Sequence, residues 1–144
     1  MAENFLISIK TTTLTDGERD QYTFSTVGDF EVTENGHRFS YKDSEATGFE
    51  GCMTTLDAVP GCVTLVRSGK LDSTLILEEG KKHMCHYATP YGVIQLGVST
   101  LFIRNGLTGN GGTLDFGYSL DFNSSTVTKN LLRITIREKK NKNA

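Results

Sequence analysis

Arg67 closes the run Cys62-Val63-Thr64-Leu65-Val66-Arg67, and strand alternation puts it on the side carrying Val63 and Leu65. A guanidinium offers planar, paired donors suited to a carboxylate or a phosphate. On an apolar face it must have a partner, because a lone buried charge is costly. A structural ion pair, or an arginine at a rim reaching water, is the commoner use of such a residue. A ligand anchor is the sharper one. His83, Cys85 and Tyr87 alternate along a second segment. A histidine held beside a tyrosine and an arginine can do acid–base work near neutral pH, although a hydrogen-bonded core histidine is more ordinary. Tyr118 sits in Leu114, Phe116, Tyr118, Leu120 and Phe122, which share one face. Arg67, His83, Tyr87 and Tyr118 are therefore the candidate ligand-binding residues, and no catalytic residue is assigned.

Other chemistries find little support. His83 and Cys85 share a face while His86 points away, and zinc requires four convergent ligands or three plus water. No metal and no cofactor is expected. A two-residue turn at Pro60-Gly61 sets Cys52 opposite Gly69 and Cys62 opposite Val59, which excludes a disulfide between these cysteines. There is no nucleophile elbow, phosphate loop or metalloprotease motif. Gly106 to Gly112 is glycine-rich but lacks a lysine and a following helix, so it reads as a loop. Tyr22, Phe24, Phe39 and Tyr41 could stack on bases, yet they align with the apolar face and read as core.

These residues need strands to hold them. Turn signals recur at Asp16-Gly17, Asn35-Gly36, Pro60-Gly61, Gly69, Glu79-Gly80, Pro90-Tyr91-Gly92 and Gly111-Gly112. Between them the pattern has period two and is rich in Thr, Val, Ile, Phe and Tyr, the signature of a β meander. A two-residue hairpin at Asp16-Gly17 pairs Ile9 with Phe24 and Thr11 with Tyr22. The same turn at Asn35-Gly36 would pair Phe30 with Tyr41 and Val32 with Phe39. At Pro60-Gly61 it pairs Thr54 with Arg67, and at Pro90-Tyr91 it pairs His83 with Val98, Cys85 with Leu96 and Tyr87 with Ile94. The Glu79-Gly80 turn agrees with that register only if its loop has an odd residue count. Gly28 reads as a bend inside one long strand. Leu132, Ile134 and Ile136 match the Leu114 to Phe122 face. Ten or eleven strands result. An all-antiparallel chain must protect its edges, so the expectation is an all-β, up-and-down barrel of eight to ten strands with room for a small cavity.

The 144 residues suffice for one domain, set at 1–138 with a flexible basic tail at 139–144. Fifteen basic and 17 acidic residues give a net charge of -2, which argues against polyanion binding through bulk charge. Neither a leader peptide nor a long apolar span is visible, and the three cysteines are odd in number; a cytoplasmic location follows as an expectation. Asp43 to Gly51 is the longest stretch without a strand pattern and reads as a loop or flap.

Arg67-Ser68-Gly69, Tyr87-Ala88-Thr89-Pro90-Tyr91-Gly92, Gly97-Val98-Ser99-Thr100 and Gly111-Gly112-Thr113-Leu114 leading to Tyr118-Ser119-Leu120 occur in an order that resembles the YwiB-like proteins. Phe39-Ser40-Tyr41 and Gly48 extend the likeness over most of the chain. These are small bacterial proteins classed as a domain of unknown function. The resemblance implies a lipocalin/calycin-like barrel in a bacterial cytosol and supplies no reaction. The chain has no tryptophan, hence no lipocalin Gly-x-Trp, so a lipocalin carrier role is not implied.

The leading expectation is non-enzymatic binding of a small anionic or amphipathic molecule inside the barrel, by a monomer or homodimer, without nucleic acid or membrane. One alternative is an isomerase or decarboxylase of small acids using Arg67, His83 and Tyr87. The other is a protein–protein interaction module docking through its outer face or basic end.

Overall fold

The computed structural model describes residues 5–43, 50–70, 72–89, 91–123 and 125–139. Most of the Asp43–Gly51 stretch and nearly all of the 139–144 tail lie outside them. The chain forms ten strands: β1 (Phe5–Thr15), β2 (Glu18–Val32), β3 (His37–Lys42), β4 (Cys52–Val59), β5 (Cys62–Gly69), β6 (Ser73–Glu78), β7 (Lys82–Thr89), β8 (Gly92–Thr108), β9 (Gly111–Phe122) and β10 (Ser125–Glu138). They make one antiparallel sheet in the order β6-β5-β4-β3-β2-β1-β10-β9-β8-β7. The ladder between β1 and β10 joins the two ends of the chain, and the sheet curls into a nearly closed barrel. Its two edge strands, β6 and β7, are consecutive and joined by the three residues Glu79 to Lys81, the odd count that the later register demands. Lys81 N–H donates to the Glu78 carbonyl at 3.1 Å in that turn. Among the described residues there is no helix long and apolar enough to cross a membrane.

Most registers follow from turn chemistry. The first hairpin pairs Ile9 with Phe24, with Asp16 and Gly17 in the left-handed region that its two-residue turn demands (φ 46° and 81°). Thr54 pairs with Arg67, and His83 with Val98. Gly28 lies inside the 15-residue β2, where a Cβ would meet the Ser40 carbonyl and the Ile7 side chain. One register differs from expectation. Phe30 faces Phe39 and Val32 faces His37, because the β2–β3 loop has four residues rather than two. Thr33 N–H donates to the Gly36 carbonyl at 2.8 Å, and Gly36 N–H donates to Thr33 Oγ1 at 3.1 Å. The shift is two residues, so the inward faces survive it.

Two bulges redirect side chains. In β8 the register shifts between Thr100 and Phe102, leaving Leu101 exposed. Before it Leu96 and Val98 point inward; after it Ile103 and Leu107 do. A second shift lies between Thr126 and Thr128 in β10. Phe122, expected inside, is half-exposed at the end of β9, where Asn123 takes a positive φ of 52°.

The inward face divides lengthwise. Ile7, Phe39, Leu56, Leu77, Phe116 and Ile136 belong to a close-packed apolar core. Thr54, Ser73, Tyr41 and Tyr118 are also buried, but they lie on the same inward face with Arg67 and Thr11, where polar groups replace aliphatic ones. Side chains fill one part of the lumen and leave a cavity in the other.

Candidate functional site

Tyr41, Thr54, Arg67 and Ser73 lie opposite one another on β3, β4, β5 and β6, forming one polar row across the inner wall. Asp43 continues the inward alternation of Phe39 and Tyr41, and its backbone N–H donates to the Cys52 carbonyl at 2.9 Å, prolonging the β3–β4 pairing. Its side chain is fully buried. A carboxylate in that position needs compensation, and Thr54 and Arg67 contribute to it. Thr54 Oγ1 donates to Asp43 Oδ2. The same hydroxyl accepts from Arg67 Nε at 3.2 Å, and Arg67 Nε stands 3.6 Å from Asp43 Oδ2. Thr54 thus relays between cation and anion, so the guanidinium is held by a fixed partner rather than left to choose a rotamer. The Arg67 side chain is 12% exposed.

Arg67 faces a cavity of about 190 Å³. Tyr22, Tyr41, Tyr87 and Tyr118, four of the chain's five tyrosines, line it. Thr11, Thr13 and Asn130 add hydrogen-bonding groups, and Ile9, Leu65 and Leu75 add apolar surface. Thr13 Oγ1 donates to Asn130 Oδ1 at 3.2 Å, and Asn130 Nδ2 donates to Thr128 Oγ1 at 2.9 Å, so the carboxamide is oriented. Burial pushes the Tyr41 phenol above its ordinary value; nearby Asp43 pushes the same way and Arg67 opposes it. Burial also raises Tyr118, with Tyr87 adding to it. Both phenols stay protonated and remain able to donate to an anion.

That has a pH consequence. An unfolded tyrosine ionises near ~10, whereas these two resist ionisation in the folded barrel. Their contribution to stability is complete below that value and is lost as pH rises through the folded values, because the unfolded chain then releases protons that the native chain retains. Phenolate absorbance is expected to show two tyrosines titrating late, together with unfolding. Simultaneous titration of all five at the ordinary value would contradict the burial assigned to Tyr41 and Tyr118.

Arg67, Tyr87 and Tyr118 meet at the cavity, as the register reading expects. His83 does not join them. It pairs with Val98 as expected, but near the start of β7. Its Nε2 lies 3.0 Å from Glu78 Oε1, tying β7 to β6 beside the turn that joins them. The hydrogen bond to His83 is the main reason Glu78 sits below the usual carboxylate range, with Lys81 helping. The Arg67/His83/Tyr87 constellation needed for acid–base turnover is therefore not assembled. Asp43 is a site residue that periodicity alone does not single out; Tyr22 and Tyr41, which read as core, line the cavity, and Thr54, which reads only as facing Arg67, links it to Asp43. The alternation Phe39, Tyr41, Asp43 was the available signal for Asp43. Among the described residues no group of three or more His, Cys, Asp or Glu side chains could hold a metal ion.

Taken together, the fold and site define an antiparallel ten-stranded barrel, apolar and packed over part of its lumen and polar and hollow over the rest. Residues 7–134 match the family described as "Domain of unknown function (DUF1934)", and the chain belongs to that family. Its fold is similar to the crystal structure of the ywiB protein from Bacillus subtilis, with a TM-score of 0.82 and 20% sequence identity over 96% of this chain and 93% of that one. At that identity the likeness concerns the fold. No curated protein matches the sequence.

Proposed function

We propose that the protein binds a small anionic molecule in the hollow part of its barrel and is not an enzyme. The observation that carries this reading is Arg67, fixed by a buried Asp43–Thr54 pair and lining a cavity with four tyrosines. Ligand sites typically combine an apolar wall with a few convergent polar groups. The cavity is smaller than the roughly 300–1,000 Å³ of drug-sized sites, which favours a compact carboxylate or phosphate over a long amphipathic chain. Asp43 offsets the guanidinium charge, so affinity rests on shape and on neutral phenol donors as much as on net charge. A bacterial cytosol suits three cysteines, Cys52, Cys62 and Cys85, that form no disulfide with one another. Binding inside the wall, as in lipocalin-like and calycin-like barrels, suits an eight- to ten-stranded circumference.

The test is native mass spectrometry of protein purified from its own cells, backed by thermal shifts against a panel of small carboxylates and inorganic phosphate. The expected result is a bound mass, or a stabilising anion, that is lost in Arg67→Lys while the circular dichroism of the barrel is retained. Lysine keeps the charge but not the planar donors. A native protein with no adduct and no thermal response to any member of the panel overturns the proposal.

A further inference from the structure

We propose that the outer face of β1, β10, β9 and β8 binds single-stranded nucleic acid, at a surface separate from the lumen. The bulge at Leu101 creates it. Without that extra residue, Phe102 and Arg104 would continue the inward alternation of Leu96 and Val98; with it they turn outward. On that face Lys10 pairs with Arg133, Arg133 with Asp115, and Asp115 with Arg104, so three cations and one carboxylate stand in a row on four neighbouring strands. At the usual strand spacing the row spans about 14 Å. Arg19 adds a fourth cation to the same shallow groove. The groove carries a net three positive charges on a chain whose own net charge is -2.

The groove also has a planar element. Phe102 lies over Gly117, where a Cβ would come within 2.7 Å of the ring and 2.8 Å of Leu131. The Arg104 guanidinium sits 4.9 Å from the centre of the Phe102 ring. An arginine held over a phenylalanine ring beside a line of cations suits unpaired bases attached to phosphates. An acidic peptide would meet the charges but leave the planar pair without a matching group. Asp115 does not cancel the patch. It accepts from Arg133 Nε at 2.8 Å and from Nη2 at 3.4 Å, while Arg133 remains 64% exposed. Whole-chain charge and the inward aromatics Tyr22, Phe24, Phe39 and Tyr41, on which the expectation of no nucleic acid rests, do not bear on this outer face.

The test is fluorescence anisotropy of the full chain with a labelled single-stranded oligouridylate at low salt. Saturable binding is expected, its logarithmic salt slope about -2 to -3 for three or four phosphates. Lys10→Glu with Arg104→Glu, both exposed positions, should weaken it at least tenfold with circular dichroism unchanged. Phe102→Leu, which keeps every charge, should weaken it about five- to tenfold through lost stacking. Absence of binding, equal binding by the charge-reversed protein, or equal binding by Phe102→Leu each overturns the proposal. So does a preference for polyglutamate or anionic vesicles over the oligonucleotide. Neither Lys10 nor Arg104 lines the lumen cavity, so failure here leaves the anion site standing.

Discussion

Arg67→Met should destabilise the barrel by about 3–5 kcal/mol, the usual consequence of stripping one partner from a buried ion pair. The Asp43 carboxylate would keep Thr54 but lose the guanidinium 3.6 Å away, at a site where its side chain has no exposure. Urea denaturation measures the change as a lowered midpoint at constant slope. Asp43→Asn combined with Arg67→Met should recover much of the loss, since a neutral amide needs no counter-charge. A cost below about 1 kcal/mol for the single change would place the pair in the solvated class, and the fixed orientation assigned to Arg67 would go with it. The double variant also separates stability from binding: it should fold nearly as well as the parent and still fail to retain the anion.

Phe116→Ala should cost a similar amount, about 3–5 kcal/mol, for a different reason. Phe116 is fully buried in the packed core and stacks on Tyr118 with ring centres 6.3 Å apart. Truncation leaves a void that surrounding strands cannot fill, since a laddered barrel wall collapses poorly. The expected signature is a lower thermal midpoint and a lower urea midpoint. A loss of under about 1.5 kcal/mol would mean that this part of the lumen is loosely filled and that the division between packed and hollow parts is wrong.

Much of the architecture could be read directly. Alternation of Leu114, Phe116 and Tyr118, and of Leu132, Ile134 and Ile136, is a local property of two strands, and it marks the inner face; the ladder sets Leu132 opposite Phe116 and Ile134 opposite Leu114. Asp16-Gly17 and Pro60-Gly61 specified their hairpins because two-residue turns admit few backbone geometries. Asn35-Gly36 misled because the same dipeptide also ends a four-residue loop, closed here by Thr33, and composition does not distinguish the two. Period and turn chemistry therefore give ten or eleven strands and most of their inward residues; the structure has ten, and Phe122 turns out of the interior.

The site divides along the same line. Arg67, Tyr87 and Tyr118 were legible because each lies on a strand whose inward face is marked by aliphatic neighbours. His83 carried the same mark, yet its place near the turn between the two edge strands set it beside Glu78 instead of in the cavity. Asp43 became a partner of Arg67 only because β3, β4 and β5 lie side by side, which brings residues 24 positions apart into contact through Thr54. The outer cationic face depended on one bulged residue in β8. Periodicity in a single strand tells which way a side chain points while the ladder is regular. Where strands meet, where the barrel ends and where an extra residue interrupts the ladder are decided by packing among distant segments, and those three features determine which charges stand together.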